Sequence, residues 1–189
     1  MAQGGGGPGR LGLAMIIKRI YQHERIWSLS NERFEAAVAL LAEHERRNDP
    51  TLIIGIARGG VRLAHHLAAR LQIPATFITA SHNPDDTIES PATGHVTVTD
   101  IPTIDPAARI LLVDDICGSG ATLATVTDLL AVPATRTATL CRNVGATHHP
   151  DAWVWDVADW TVFPWETAPP DVSPRPLPFP HRIRTRSEP

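Results

Sequence analysis

Apolar residues fall along this chain in short bursts rather than in one long period. Residues 51–57 (TLIIGIA) form a nearly all-apolar run rich in Ile, and 109–114 (RILLVD) form another. Runs this short, apolar at consecutive positions, suit strands buried on both faces of a parallel sheet. Segments 75–80, 135–141 and 152–157 predict three further strands. Between them the period changes. Phe34, Val38, Leu41 and Ala42 lie at helical spacing, so residues 31–47 predict an amphipathic helix with Ser30 or Asn31 as N-cap. Gly59-Gly60 turns the chain into a second helix, Val61–Leu71, and the Cys117–Gly120 turn leads into a third, about Ala121–Ala131. Strands alternating with helices at this spacing imply an α/β fold: an open, mainly parallel sheet with helices on both faces.

Three stretches do not fit this alternation. The first dozen residues are Gly-rich, with Gly4–Gly7 and Pro8-Gly9, and are expected to be disordered. Residues 81–105 are polar and punctuated by prolines; Val96 and Val98 alternate with threonines and predict a short strand. The rest is long for a structureless connection, as lids and disordered loops are. Asp85, Asp86 and Glu89 there read as solvated. After Glu166, seven prolines forbid regular helix or central strand, so the tail is an extended arm or a mobile segment.

Composition narrows the chemistry. At 189 residues the chain suits one domain. The formal net charge of −3 argues against a general nucleic-acid or membrane-surface binder. Lys18 is the sole lysine among 17 basic residues, so mechanisms that need a mid-chain lysine, such as a P-loop or a Schiff base, are excluded. Cys117 and Cys141 make neither a disulfide framework nor a paired-Cys zinc site, and a reducing cytoplasm is the expected compartment. No apolar run is long enough to span a membrane. His65-His66 on a helix point in different directions, which disfavours a two-ligand metal site, and His148-His149 read as plain loop.

The informative segment is 110–123, ILLVDDICGSGATL. A buried strand ends in Asp114 and Asp115, a small-residue loop follows, and a helix begins. Ligands on open α/β sheets sit at the carboxyl ends of strands. A Gly/Ser/Thr loop at a helix start leaves backbone N–H groups to bind an anion, and Ser119 and Thr122 add hydroxyl donors. Carboxylates repel phosphate, so the two acids need other work: ribose hydroxyls or a magnesium ion. A sugar phosphate satisfies both halves.

Four apolar residues, two acids, two apolar residues and a small loop ending in Gly-x-Thr resemble the phosphoribosyl-pyrophosphate (PRPP) motif of type I phosphoribosyltransferases. Ile56–Val61 (IARGGV), about 55 residues before the acids, resembles the family's pyrophosphate loop. Asp159–Glu166 (DWTVFPWE) resembles the base-recognising hood of the xanthine–guanine branch. The resemblance implies a type I phosphoribosyltransferase fold with a small C-terminal hood. It divides the chain into 1–14, a domain at 15–168 with its hood at about 153–168, and a Pro-rich tail at 169–189. It implies that Asp114 and Asp115 hold the ribose hydroxyls, with or without Mg2+ as cofactor. Cys117, Gly118, Ser119, Gly120, Ala121 and Thr122 would cradle the 5′-phosphate. Arg58, Gly59 and Gly60 would meet the pyrophosphate. Trp160 would stack on a purine-like base, and the backbone of Thr161 and Val162 would read its edge. Trp165 and Glu166 close the segment as structural residues. The 81–105 loop would close over the site, and a homodimer is expected.

Two departures matter. In the purine branch an acid follows the acid pair by three residues; here that position is Gly118. A lysine after the fourth strand, which meets the purine 6-substituent, is replaced by Asn143 or, one residue back, by Arg142. The expected reaction is transfer of a phosphoribosyl group from PRPP to a base, with release of pyrophosphate. Two alternatives stand beside it: a non-catalytic PRPP or nucleotide sensor, and a specialised biosynthetic enzyme for an unusual base.

Overall fold

The computed structural model describes residues 26–81, 96–168, 170–171 and 173–186. The segment at 1–14 and the centre of the 81–105 loop, with Asp85, Asp86 and Glu89, lie outside the described residues. In chain order the elements are β1 (Trp27–Ser28), α1 (Asn31–Arg46), β2 (Leu52–Ala57), α2 (Gly60–Leu71), β3 (Ala75–Ser81), β4 (Thr97–Thr99) and β5 (Ile110–Cys117). Then come α3 (Ala121–Leu130), β6 (Thr135–Asn143), β7 (Ala152–Val157), β8 (Thr161–Val162), β9 (Arg175–Pro176) and β10 (Arg184–Thr185).

The main sheet has the order β10-β7-β6-β5-β2-β3-β4. Its five central strands are parallel, and the short outer strands β4 and β10 are antiparallel. Alternate residues of β5 enter two separate cores. Leu111 and Val113 pack with Val38 and Leu41 of α1 and Leu63 and Leu67 of α2. Ile110 and Leu112 pack on the other face with Leu123 and Val126 of α3. Both faces are therefore dry, which is why the central strands read as continuous apolar runs.

A second, three-stranded sheet, β8-β1-β9, is all parallel. It joins residues from both ends of the described chain. The Trp27 and Leu29 amides donate to the Trp160 and Val162 carbonyls, both at 2.9 Å. On the other side Arg175 donates to the Ile26 carbonyl at 2.7 Å, and Leu177 to Ser28 at 2.9 Å. This sheet is the hood, and the Pro-rich tail supplies one of its strands. Beyond β9 the tail is an extended arm. Leu177 is buried, Pro178 accepts from the Trp155 indole at 3.1 Å, and β10 pairs with β7.

Candidate functional site

The three described helices begin differently, and the difference locates the site. Helix α1 has a side-chain cap: Ser30 Oγ accepts from the Arg33 amide at 3.3 Å. Helices α2 and α3 start on Gly59 and Gly120, neither of which can cap. Val61 of α2 donates to the Arg58 carbonyl and Ala121 of α3 to Ser119 Oγ, both at 3.3 Å, and the other first-turn N–H groups have no acceptor within their helix to compete with an anion. Both helices follow the carboxyl ends of adjacent parallel strands, β2 and β5.

The two turns depend on glycine for steric reasons. A Cβ on Gly59 would overlap the Asp115 carboxylate, and one on Gly60 would overlap the Val113 carbonyl. The Arg58–Gly60 loop therefore lies directly against the acid-bearing strand. Arg58 itself is exposed, and the Ala57–Arg58 peptide is cis. In the other turn Gly120 has φ +89°, and a Cβ there would run into the backbone of His148. Gly118 does not share that left-handed conformation. Ser119 Oγ accepts from the Ala121 amide at 3.3 Å, and the Cys117 thiol donates to the His148 carbonyl at 3.2 Å.

The two acids differ. Strand β5 runs on through them to Cys117, and Asp114 Oδ1 accepts from the Asp115 amide at 2.9 Å. Asp114 is half-buried, whereas Asp115 is 8% exposed. Burial, and next the charge of Glu166, push the Asp115 carboxyl up to about 7. Glu166 is itself raised by partial shielding from water, while its carboxylate accepts from the Phe163 amide at 3.0 Å. Sequence reasoning left Glu166 as structural, but it sits within electrostatic reach of Asp115. The cause is the fold: β7 runs parallel to its neighbour β6, so the chain leaves it at the same end of the sheet.

In the hood, Trp160 is half-buried. The carbonyls on either side of Thr161 point toward β1, so by strand alternation the backbone of Thr161, a residue only 2% exposed, faces the side of β8 that pairs with no described strand. Val162 faces β1 instead, and its carbonyl is already bonded to Leu29. Trp165 stacks on Phe163 at 5.1 Å and meets the edge of Phe34 at 5.5 Å, which makes it a packing residue.

The residues replacing the family lysine both have partners within the fold. Arg142 forms an ion pair with Asp156 at 2.7 Å and lies 4.2 Å over the Trp153 ring. That holds its guanidinium against β7. Asn143 is 2% exposed, and its side-chain oxygen accepts from the Gly145 amide at 2.8 Å, closing the turn after β6. The loop after that turn had no sequence signal. Yet the Thr147 and His148 amides both donate to the Ser119 carbonyl, at 3.0 and 3.2 Å.

Among the described residues no three His, Cys, Asp or Glu side chains gather into a metal cluster. No described helix is long and apolar enough to cross a membrane. Magnesium normally takes one or two carboxylates and completes its shell with water and substrate phosphates. The adjacent acids Asp114 and Asp115, beside an anion turn, fit that mode.

Solved structures share this architecture. The chain is similar to a purine phosphoribosyltransferase from Pyrococcus horikoshii, with 29% identity and a TM-score of 0.68, over 78% of this chain and 99% of that one. It is similar to a xanthine-guanine-hypoxanthine phosphoribosyltransferase from Helicobacter pylori, with 27% identity and a TM-score of 0.63, over 75% and 94%. A Neisseria gonorrhoeae protein solved with bound ppGpp shares the fold at 22% identity and a TM-score of 0.56, over 76% and 90%. No curated protein matches the chain. The sequence model of the phosphoribosyl transferase domain matches residues 28–171, across both glycine turns and as far as β8 but short of β9, and the chain belongs to that family.

Proposed function

We propose that this phosphoribosyltransferase joins a nitrogen of a purine-like base to C1 of PRPP, releasing pyrophosphate and leaving a nucleoside 5′-monophosphate. One observation carries the reading: two uncapped glycine turns, an acid pair and a hood meet at one end of the sheet. The Cys117–Thr122 turn binds the 5′-phosphate with backbone donors. Asp114 and Asp115 orient the ribose hydroxyls. Arg58, Gly59 and Gly60 meet the pyrophosphate, where the guanidinium offsets charge as the C1–O bond breaks. Trp160 covers one face of the base, and the Thr161 backbone reads its edge. Asp114 and Asp115 would hold magnesium, which when bound neutralises the pyrophosphate. Catalysis is then mainly positioning and charge stabilisation. The same reading carries a homodimer in a reducing, cytoplasmic setting.

The base is not an ordinary 6-oxopurine. Gly118 offers no side chain to take the base proton, and the family lysine is replaced by Arg142 or Asn143, whose side chains bond Asp156 and the Gly145 amide. General-base assistance is typically worth about 10²–10⁴-fold, so guanine and hypoxanthine should turn over slowly. The named purine enzymes among the similar structures support the purine class, and these departures point to a base that loses its proton easily.

The test is pyrophosphate release from PRPP and magnesium, screened across purines, deazapurines and pyrimidines. No release with any base would overturn the reading. Gly118→Asp should raise the guanine rate, since Gly118 has no positive φ to forbid a side chain. Fast wild-type turnover of guanine would remove Gly118 as a guide to the substrate.

A further inference from the structure

We propose that Arg186, in the arm beyond the family-matched segment, is a positioning residue for the phosphate turn. The connection from β6 to β7 contains no helix. Residues 144–151 must still return from the carboxyl end of one parallel strand to the amino end of the next. They cross the α3 face, where Ala146 joins the Cys117 and Leu123 core. On the way they form a seam with the phosphate turn. The Ser119 carbonyl accepts from the Thr147 and His148 amides and from Thr147 Oγ1, and the His148 carbonyl accepts from Cys117. Gly120 lies so close to His148 that no Cβ fits.

The next residue along is held by the arm. Arg186 Nη2 donates to the His149 carbonyl at 2.7 Å and lies 3.4 Å from the Asp151 carboxylate. Asp151 is fixed in turn by Thr137, which donates to it through both amide and hydroxyl. Arg186 thus anchors one end of a strap whose middle shapes the Ser119–Gly120 turn. By linkage, PRPP bound in the turn tightens the arm by the factor that the arm tightens PRPP.

The functional consequence rests on the proposed phosphoribosyl transfer, but the mechanical coupling does not, and the experiment separates the two. Three full-length variants are compared: Arg186→Ala, Arg186→Lys and, as a control in the arm, the exposed Arg175→Ala. Hydrogen exchange is read at the Thr147, His148 and Ala124 amides, and PRPP affinity by calorimetry. Arg186→Ala should speed exchange at the seam and weaken PRPP by about two- to tenfold, the scale of one hydrogen bond. Turnover at saturating PRPP and the KM for base should hold. Lysine should restore both readouts, and Arg175→Ala should move neither. Unchanged exchange in Arg186→Ala, or an equal change in Arg175→Ala, would overturn the inference. A wild type that binds no PRPP refutes the proposed function, while exchange still decides the coupling.

Discussion

Asp115 works against the stability of the chain that carries it. Its carboxyl is raised from 3.8 to about 7 in the fold, first by burial and then by Glu166. The folded state therefore holds this proton more tightly than the unfolded state. The associated stability is fully present below about pH 4 and is lost as pH rises toward 7. Asp115→Asn, which mimics the neutral carboxyl, should melt several degrees higher than wild type at pH 8 in metal-free buffer. The gap should close toward pH 4, and melting curves across that range check it. Equal melting points at both ends would refute the burial argument. Combined with Asp114→Asn, the change should abolish PRPP turnover without unfolding the chain. Trp160 gives a second residue-scale test. Trp160→Ala should weaken base binding by roughly 1–3 kcal/mol, the range for base–aromatic stacking, and hardly alter PRPP affinity. Equal loss of both affinities, read by calorimetry, would make Trp160 a support for the fold.

At the scale of elements, the prediction concerns Gly120. Gly120→Ala must place a Cβ at φ +89° and against the His148 backbone. The left-handed conformation alone costs about 1 kcal/mol, and displacement of residues 147–148 adds to it. Denaturant unfolding should show the loss, and PRPP binding should fall with it. This scale is also where the sequence was most legible. Helix α1 and its Ser30 cap, strand β2 and strand β7 follow from apolar period and capping chemistry within a residue or so. Strand β5 runs three residues past its expected end, from 114 to 117, because ladder bonds with Thr139, Cys141 and Arg142 extend it. The acid pair and both glycine turns were readable because chemistry and chain order coincide there. The two-residue strands β1, β8, β9 and β10 have no period to read. They exist because distant segments meet, which no local window contains. The same holds for Glu166 near Asp115 and for the 144–151 strap, whose roles come from tertiary contact alone. Arg142 and Asn143 were seen as substitutions for a lysine, but their partners Asp156 and Gly145 decide where they point.

Across the whole molecule, the buried ion pair of α1 sits at the end of the sheet opposite the glycine turns, beside the Asp151–Arg186 anchor. Glu45 at the end of α1 is 1% exposed. Its carboxylate takes bonds from Arg136 at 2.9 and 3.2 Å, from Asn48 at 3.0 Å, and shares one with His44 at 2.9 Å. Arg136 lies near the amino end of β6, far along the strand from the Asn143 turn. Glu45→Ala should cost about 2–3 kcal/mol, below the usual range for breaking a buried pair because Arg136 is partly solvated. Activity per folded molecule at 25 °C should be unchanged, as activity assays on soluble protein would show. A loss of PRPP affinity greater than that of Arg186→Ala would contradict this placement, because Glu45 reaches the glycine turns only through the Arg136 and Asp151 neighbourhood.

The hood sheet sets an order on synthesis. Trp27 and Ser28 are among the first described residues to leave the ribosome, yet their partners are Thr161–Val162 and Arg175–Pro176. The sheet strands up to Val157 and both glycine turns precede those partners in the chain. A nascent chain can therefore assemble both glycine turns while β1 still waits unpaired. The β8-β1-β9 sheet can be completed only once residue 176 has emerged, so the base-covering part of the proposed site forms after both glycine turns.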